Sequence, residues 1–328
     1  MSKRLWVLIG SVVLVACLGA AFWITLRPGK AEEIRVGYMR ISSHVPVIAA
    51  ADESLGFFKK HGLKVVLEQF PDTPALMKGL EAGRIDIAYQ VTPDILWTAG
   101  ASGRQYYTCF VVQSTKEAPI DGVYAIGDVT SASLGGKVVG CFPGPTAMGM
   151  TKAIMKAVYG LEAGQYELQP VPPPLQISSL KSGKIAALFT YEPLGTLAVE
   201  HGGAKRVLRA PVEEHVIDPW TGGVGLLSKR LAMERRETSK AFIKAVRESV
   251  DHLVSHPELM AKMTVELQPG MDLETAKKVP FQKHIFADST GNVAAIRDYL
   301  SKQLPVYQKL GIVGSNVNQD VQVFSGEQ

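Results

Sequence analysis

Past residue 33, apolar residues fall into runs whose spacing switches repeatedly between the period of a strand and the period of a helix. Ile34 to Met39 is read as a strand, and Val45 to His61 as a helix that stops at Gly62, a natural C-cap. Lys64 to Phe70 reads as a strand, Pro74 to Glu81 as a helix and Ile85 to Gln90 as a strand. A helix through Trp97 and a strand from Tyr106 to Ser114 complete the first set. This alternation predicts an α/β fold with a largely parallel sheet. From Lys229 onward the periodicity is nearly all helical, over Leu231 to Ser255, Leu273 to His284 and Asn292 to Leu310.

Part of the pattern is duplicated 100 residues downstream. Pro74, Met77, Leu80, Gly83, Ile85, Tyr89 and Pro93 are matched by Pro174, Ile177, Leu180, Gly183, Ile185, Phe189 and Pro193. In both copies a proline opens a helix, apolar residues follow one and two turns later, and a glycine ends it beside a cation. A buried strand then leads to a second proline. Val36-Gly37-Tyr38 and Val139-Gly140-Cys141 pair the first strands in the same way. Two similar α/β lobes are therefore expected, with the loops after Tyr38, Tyr89, Cys141 and Phe189 at the carboxyl edges of their sheets. Ligands bind at that edge of an open α/β sheet, and a cleft between lobes is a favoured pocket.

Those loops supply the candidate ligand contacts. Tyr38 precedes Arg40-Ile41-Ser42-Ser43-His44-Val45-Pro46, where Pro46 opens a helix. Free N–H groups with the Ser42 and Ser43 hydroxyls suit an oxyanion or carboxylate, and Arg40 would add a bidentate clamp. In the competing view Ser43 only caps the helix and Arg40 is solvated. His44 in the same loop, Gln90 at a strand end, Thr92 before Pro93 and Thr146 at a helix start join the candidates. Glu192, beside Tyr191, pairs with a ligand amine in one reading and bonds backbone N–H groups at a helix start in the other. Trp220 offers a stacking surface for a flat ligand, whereas Trp97 reads as core.

Composition narrows the function. The chain has 328 residues, more than one core usually serves, with 46% hydrophobic and 20% charged residues. Net charge is +4, only +2 without Lys3 and Arg4, and no basic run is interleaved with aromatics, so no nucleic-acid partner is expected. Three cysteines make no disulfide framework. His252 and His256 stand one turn apart without a HExxH motif or a third ligand, so neither a metal nor another cofactor is expected. No GxSxG, Walker A or GxGxxG run occurs.

Leu5 through Leu26 is a charge-free run of 22 residues behind Lys3-Arg4, about 33 Å long as a helix and enough to cross a hydrocarbon core. Within it Leu14-Val15-Ala16-Cys17 resembles a lipobox, in which Cys17 would be acylated, although the apolar run continues beyond it. The other reading is an uncleaved anchor with Lys3 and Arg4 in the cytoplasm. Both place the body outside the cytoplasm, on the membrane.

A family is recognisable in longer segments. Ala50-Ala51-Asp52-Glu53-Ser54-Leu55-Gly56-Phe57-Phe58-Lys59-Lys60-His61-Gly62-Leu63-Lys64-Val65 resembles the signature helix and strand of ABC-importer binding proteins of the nitrate/sulfonate/taurine type, a group that includes binders of thiamine-pyrimidine precursors. Leu80 to Ala88, Tyr191-Glu192-Pro193 and Phe281 to Leu310 resemble its later elements. The resemblance implies a type II periplasmic-binding-protein fold, crossing between lobes near Pro119 to Gly122 and near Asp218 to Gly222. Residues 1–33 would then be signal or anchor and connector, residues 34–120 with 221–328 one lobe, and residues 121–220 the other. It implies a monomeric, non-enzymatic receptor that serves a membrane permease and captures a sulfonate-like or carboxylate anion, or else an aminopyrimidine. Rival readings are a same-fold enzyme, like the menaquinone-pathway dehydratases, and a ligand-sensing domain. Cys141-Phe142-Pro143-Gly144-Pro145-Thr146 departs from the small Gly-Ser run of many relatives, and its two prolines stiffen the turn.

Metabolic labelling with a fatty acid separates the two anchors. Label that disappears in Cys17→Ala identifies a lipoprotein, whereas a membrane-bound chain that takes up no label identifies the uncleaved helix.

Overall fold

The computed structural model describes residues 32–317 and 320–326. Lys3, Arg4, Cys17 and the apolar run around them lie outside the described residues, and none of the described helices is long and apolar enough to cross a membrane.

Two sheets carry the described chain. The first contains β1 (Glu32–Tyr38), β2 (Leu63–Gln69), β3 (Ile87–Val91), β4 (Tyr106–Ser114), β10 (Trp220–Ser228) and β11 (Lys283–Phe286). The second contains β5 (Asp121–Ala125), β6 (Val138–Cys141), β7 (Glu167–Pro170), β8 (Ala187–Tyr191) and β9 (Lys205–Arg209). Their orders are β2-β1-β3-β10-β4-β11 and β7-β6-β8-β5-β9. The first five strands of each follow one plan. β1 is parallel to β3, as β6 is to β8, and the strand that arrives from the other sheet, β10 or β5, runs antiparallel beside them. The chain passes between sheets through residues 115–120 and 216–219, so each sheet with its helices forms one lobe of a mixed α/β fold.

The 100-residue repeat has a packing cause. Helices Thr73–Glu81 and Pro173–Lys181 precede β3 and β8, strands buried at all five positions, as the central strands of a covered sheet must be. A Cβ added at Gly37 of β1 would lie 2.4 Å from Leu76 and 2.5 Å from Ile85, and one at Gly140 of β6 would lie 2.6 Å from Ile185. Only glycine lets those side chains reach the strand so closely. Each helix ends at a glycine with positive φ, Gly83 at 67° and Gly183 at 72°.

Three predicted helices are broken. Val45 to His61 divides into Val45–Ala51 and Phe57–Lys60, because Asp52 leaves helical geometry and accepts from the Ser54 amide at 2.7 Å and hydroxyl at 2.6 Å. Leu231 to Ser255 divides at Arg235, whose backbone (φ −126°, ψ 50°) is not helical, into Lys229–Glu234 and Arg236–Ser255. Leu273 to His284 keeps only Leu273–Ala276 helical. Pro280 interrupts it, and Lys283–Phe286 pairs antiparallel with β4 instead. A further helix, Pro257–Leu267, lies within the helical region that begins at Lys229. In Thr290–Lys309, Gln303 accepts from the Thr221 amide and donates to the Thr221 carbonyl, both at 3.0 Å, and so pins the helix to β10.

Where the two crossings lie side by side, two acids are buried together. Asp121 opens β5 at 2% exposure and accepts from the Val212 amide at 3.3 Å, and Glu213 is 3% exposed. Burial pushes both carboxyls up, Asp121 well above the usual carboxylate range, with the Glu213 charge adding to its shift. A carboxyl with a raised folded pKa contributes stability below its unfolded pKa, and that contribution is lost as pH rises through the folded pKa. Wild type is therefore expected to lose stability relative to Asp121→Asn above roughly pH 4, by about 1.4 kcal/mol for each unit that the folded pKa exceeds the unfolded one. Urea titrations of both proteins across pH measure the difference, and a difference that does not change with pH contradicts it.

Candidate functional site

A pocket of about 430 Å³, counting its solvent-open mouth, lies between the two sheets. It is built where four parallel strands end. The turn after β1 gives Met39 and Ile41, and the end of β3 gives Gln90, Val91 and Thr92. The turn after β6 gives Phe142, Pro143, Gly144, Thr146 and Ala147, while Tyr191 closes β8. Thr73, Ile120 of the first crossing and Gly222 of β10 complete the wall. No lining residue is charged.

Of the residues singled out in the sequence, Gln90, Thr92, Thr146 and Tyr191 line this pocket; Tyr38, Arg40, Ser42, Ser43, His44, Glu192 and Trp220 do not. Ser42–His44 forms a short 3-10 turn that is wholly buried, and this turn directs Met39 and Ile41, not the polar side chains, to the pocket. The Ser42 hydroxyl donates to Gln282 Oε1 at 3.1 Å, and its amide donates across the lobes to the Glu192 carbonyl at 2.9 Å. Ser43 caps no helix. Its carbonyl lies 3.2 Å from His284 Nε2, and its hydroxyl is buried without a partner. His44 Nδ1 accepts from the Met39 amide at 3.1 Å. Burial, with His284 close by, pulls the His44 pKa down to about 3, so the ring is neutral. Tyr38 is half-buried against the core of the first lobe, and Arg40 points to solvent. The expected guanidinium clamp is thus absent from the pocket wall.

Glu192 takes the structural one of its two roles. At 1% exposure it accepts from Arg206 Nη2 at 2.7 Å, from Tyr124 Oη at 3.1 Å and from the Thr196 amide at 2.9 Å, in the first turn of Leu194–Glu200. The Arg206 guanidinium also lies over the Tyr124 ring, 5.4 Å from its centroid. With its oxygens occupied in this way, Glu192 has no need of a ligand. Trp220 is likewise fully buried instead of offering a stacking face. Its indole donates to Tyr307 Oη at 3.1 Å, and its ring stands behind Tyr191 at 6.0 Å.

Sequence reasoning passed over Asp94. It is 2% exposed and sits behind the pocket, accepting from Thr146 Oγ1 at 2.7 Å, with Thr92 beside it. Burial pushes its carboxyl up, and the two threonines oppose that shift. Thr146 belongs to the second lobe and Asp94 to the first, so this bond spans the cleft. The one signal available was Asp94's place directly after the paired Pro93.

Comparison with known proteins agrees with this geometry. The profile of the family described as NMT1/THI5 like matches residues 41–259, more than half of the chain. The chain belongs to the NMT1/THI5-like family. A search of curated proteins returns no match. Among solved structures, the alkanesulfonate-binding protein SsuA from Xanthomonas axonopodis pv. citri, bound to MOPS, is similar with a TM-score of 0.68 at 15% identity, over 88% of this chain and 96% of that one. The periplasmic aliphatic sulphonate binding protein SsuA from Escherichia coli gives 0.67 at 15% identity, over 89% and 97%. The periplasmic nitrate-binding protein NrtA from Synechocystis PCC 6803 gives 0.67 at 14% identity, over 88% and 83%. At these identities the likeness establishes the fold, the periplasmic-binding-protein fold expected above. The NMT1/THI5-like region contains every lining residue except Met39.

The Glu192 cluster makes a stability prediction. Glu192→Ala leaves the Arg206 charge half-buried and unpaired and is expected to cost about 3–5 kcal/mol. Urea denaturation measures it, and a loss below about 1 kcal/mol would mean that the pair is solvated in solution.

Proposed function

We propose that this protein is the extracytoplasmic solute-binding component of an ABC importer, held at the membrane by acylated Cys17 or by an uncleaved N-terminal helix. It captures a small organic molecule by closing its lobes and passes it to a membrane permease as a monomer. The observation that carries this reading is a single pocket walled by the strand ends of both lobes, so that its full set of contacts exists only when the lobes are together. The family membership and the similar binding-protein structures support it. Binding, not catalysis, also suits the cysteines. Cys109 and Cys141 are both fully buried, and burial pushes their thiols up, that of Cys141 to about 12, which makes them poor nucleophiles.

The lining favours a ligand with a flat or apolar body and an uncharged or weakly basic polar end. Met39, Phe142 and Tyr191 offer the apolar surface, and Gln90, Thr92 and Thr146 the polar groups. Of the two ligand classes raised by the resemblance, an aminopyrimidine fits this description. A sulfonate or carboxylate is the second reading, favoured by the start of the helix Pro145–Tyr159, where Thr146 and Ala147 line the pocket.

Thermal-shift screening of aminopyrimidines, sulfonates and carboxylates is expected to find a stabilising ligand. At a hundred times its dissociation constant that ligand adds about 2.7 kcal/mol, several degrees at this size. Arg40→Ala is expected to leave the shift unchanged, and small-angle scattering to show compaction on binding. Tight binding with an unchanged scattering profile would contradict the closing mechanism.

A further inference from the structure

A second set of contacts crosses between the lobes, apart from the residues that line the pocket. His201 follows the helix Leu194–Glu200 of the second lobe. Opposite it stands the short helix Leu273–Ala276, reached through Pro257–Leu267, whose Met263 and Leu267 pack on Val45 and Ala49 of the first lobe. His201 Nε2 lies 3.0 Å from Asp272 Oδ2 and 3.2 Å from Thr275 Oγ1, while the preceding Glu200 accepts from Lys278 Nζ at 2.5 Å. Asp272 is held in place for this contact, accepting from the Thr275 amide at 2.8 Å and hydroxyl at 2.7 Å. Those two bonds, with the His201 charge adding to them, pull its carboxyl down to about 2, so it is ionised throughout the neutral and mildly acid range. The Thr275 hydroxyl commits its hydrogen to that carboxylate, so both neighbours of Nε2 are acceptors and Nε2 carries the hydrogen.

The other charges around His201 are already matched. Glu274 and Glu258 bond Lys277 at 2.9 Å and 3.3 Å, and Glu200 holds Lys278. Of the side chains in this contact, histidine alone ordinarily changes charge between pH 5 and 8. We infer that the His201–Asp272 contact is a proton-linked latch between the lobes: protonated His201 favours the closed arrangement, and loss of the proton loosens it. The inference rests on the lobe closure proposed above. A neutral ring still donates from Nε2, but only the imidazolium brings a full charge to the carboxylate, and the two meet only while the lobes are together. Closing therefore favours the protonated ring, and by reciprocity the closed fraction rises as pH falls. The side chains of His201 and Asp272 are 46% and 53% exposed, so solvent screens the pair and the gain is about two- to fivefold in the closed-to-open ratio. The Lys278–Glu200 pair crosses the same gap with charges that stay constant over this range, and so ties the lobes without responding to pH.

Pulsed electron–electron resonance on the full-length chain in detergent, without ligand, tests this. Nitroxides are placed at Lys181→Cys in the second lobe and Glu266→Cys in the first, both exposed, on the helices that pack against the two sides of the latch. Cys17→Ala removes the third reactive site, and Cys109 and Cys141 are buried. In this background the closed-to-open ratio is expected to rise about two- to fivefold from about pH 8 to about pH 5.5. His201→Gln keeps a hydrogen-bond donor without the charge and should abolish the rise. His201→Lys is charged at both ends of the range and should hold the ratio near its acid value at both. A flat response with native His201, or an equal rise in His201→Gln, overturns the latch. Two distances whose proportions ignore pH leave lobe closure intact and overturn the latch alone. One unchanging distance in all three proteins means that the lobes do not part, and the closing mechanism falls together with the latch.

Discussion

The architecture depends on one close approach, used twice. In each lobe a helix must lie near enough to the first strand for Leu76 and Ile85, or Ile185, to occupy the space that a Cβ would take at Gly37 or Gly140. That approach covers the central strand, which lets β3 and β8 be apolar on both faces. Helix and central strand in turn fix where the strand ends fall. The pocket is assembled at those ends, so its shape is inherited from packing some distance away. A larger residue at either glycine would reach the site without touching it.

The repeat was legible because it rests on residues with few substitutes: glycine for close approach and positive φ, proline for a helix start, an unbroken apolar run for a covered strand. The strand-end loops were legible for the same reason, and Gln90, Thr92, Thr146 and Tyr191 follow from them. Arg40, Ser42, Ser43 and His44 were placed by position, but position says which loop, not which side chain turns inward. The 3-10 turn at Ser42–His44 and the hydrogen bond from the Met39 amide to His44 Nδ1 settle that, and both depend on tertiary contacts beyond local spacing. Asp94 was invisible for a related reason: a carboxylate beside a helix start reads as an ordinary solvated residue until a threonine from the other lobe is found 2.7 Å away. The broken helices follow the same rule. Asp52 and Arg235 interrupt runs whose apolar spacing carries straight through, and β11 is a strand only because β4 has an edge to receive it.

Charge is handled differently inside the lobes and at the seam between them. Glu192 has its charge and hydrogen bonds met in full by Arg206, Tyr124 and Thr196, as has Asp86 by Arg35 and Arg230. Those pairs fix local structure and are indifferent to the cleft. Among the described residues, Asp94 and the Asp121–Glu213 pair are buried with no cation bonded to them, and they sit where the lobes meet. Fully met buried charges thus stand inside the lobes, and incompletely compensated ones at the seam between them.

The start of the helix Pro145–Tyr159 is held to the first lobe at two points one turn apart. At Thr146 the bond to Asp94 is polar, short and directional. At Gly149 the missing side chain admits Ile312, whose Cγ1 comes within 2.3 Å of where a Cβ would be. The two contacts constrain different things. The hydrogen bond weakens steeply as its angle departs from linear, whereas the apolar contact has no preferred angle but loses a quarter to a half of its attraction over a gap of about 0.5–1 Å. Ile312 in the hollow at Gly149 therefore sets how closely the helix start lies against the first lobe, and the Thr146–Asp94 bond sets how it is turned.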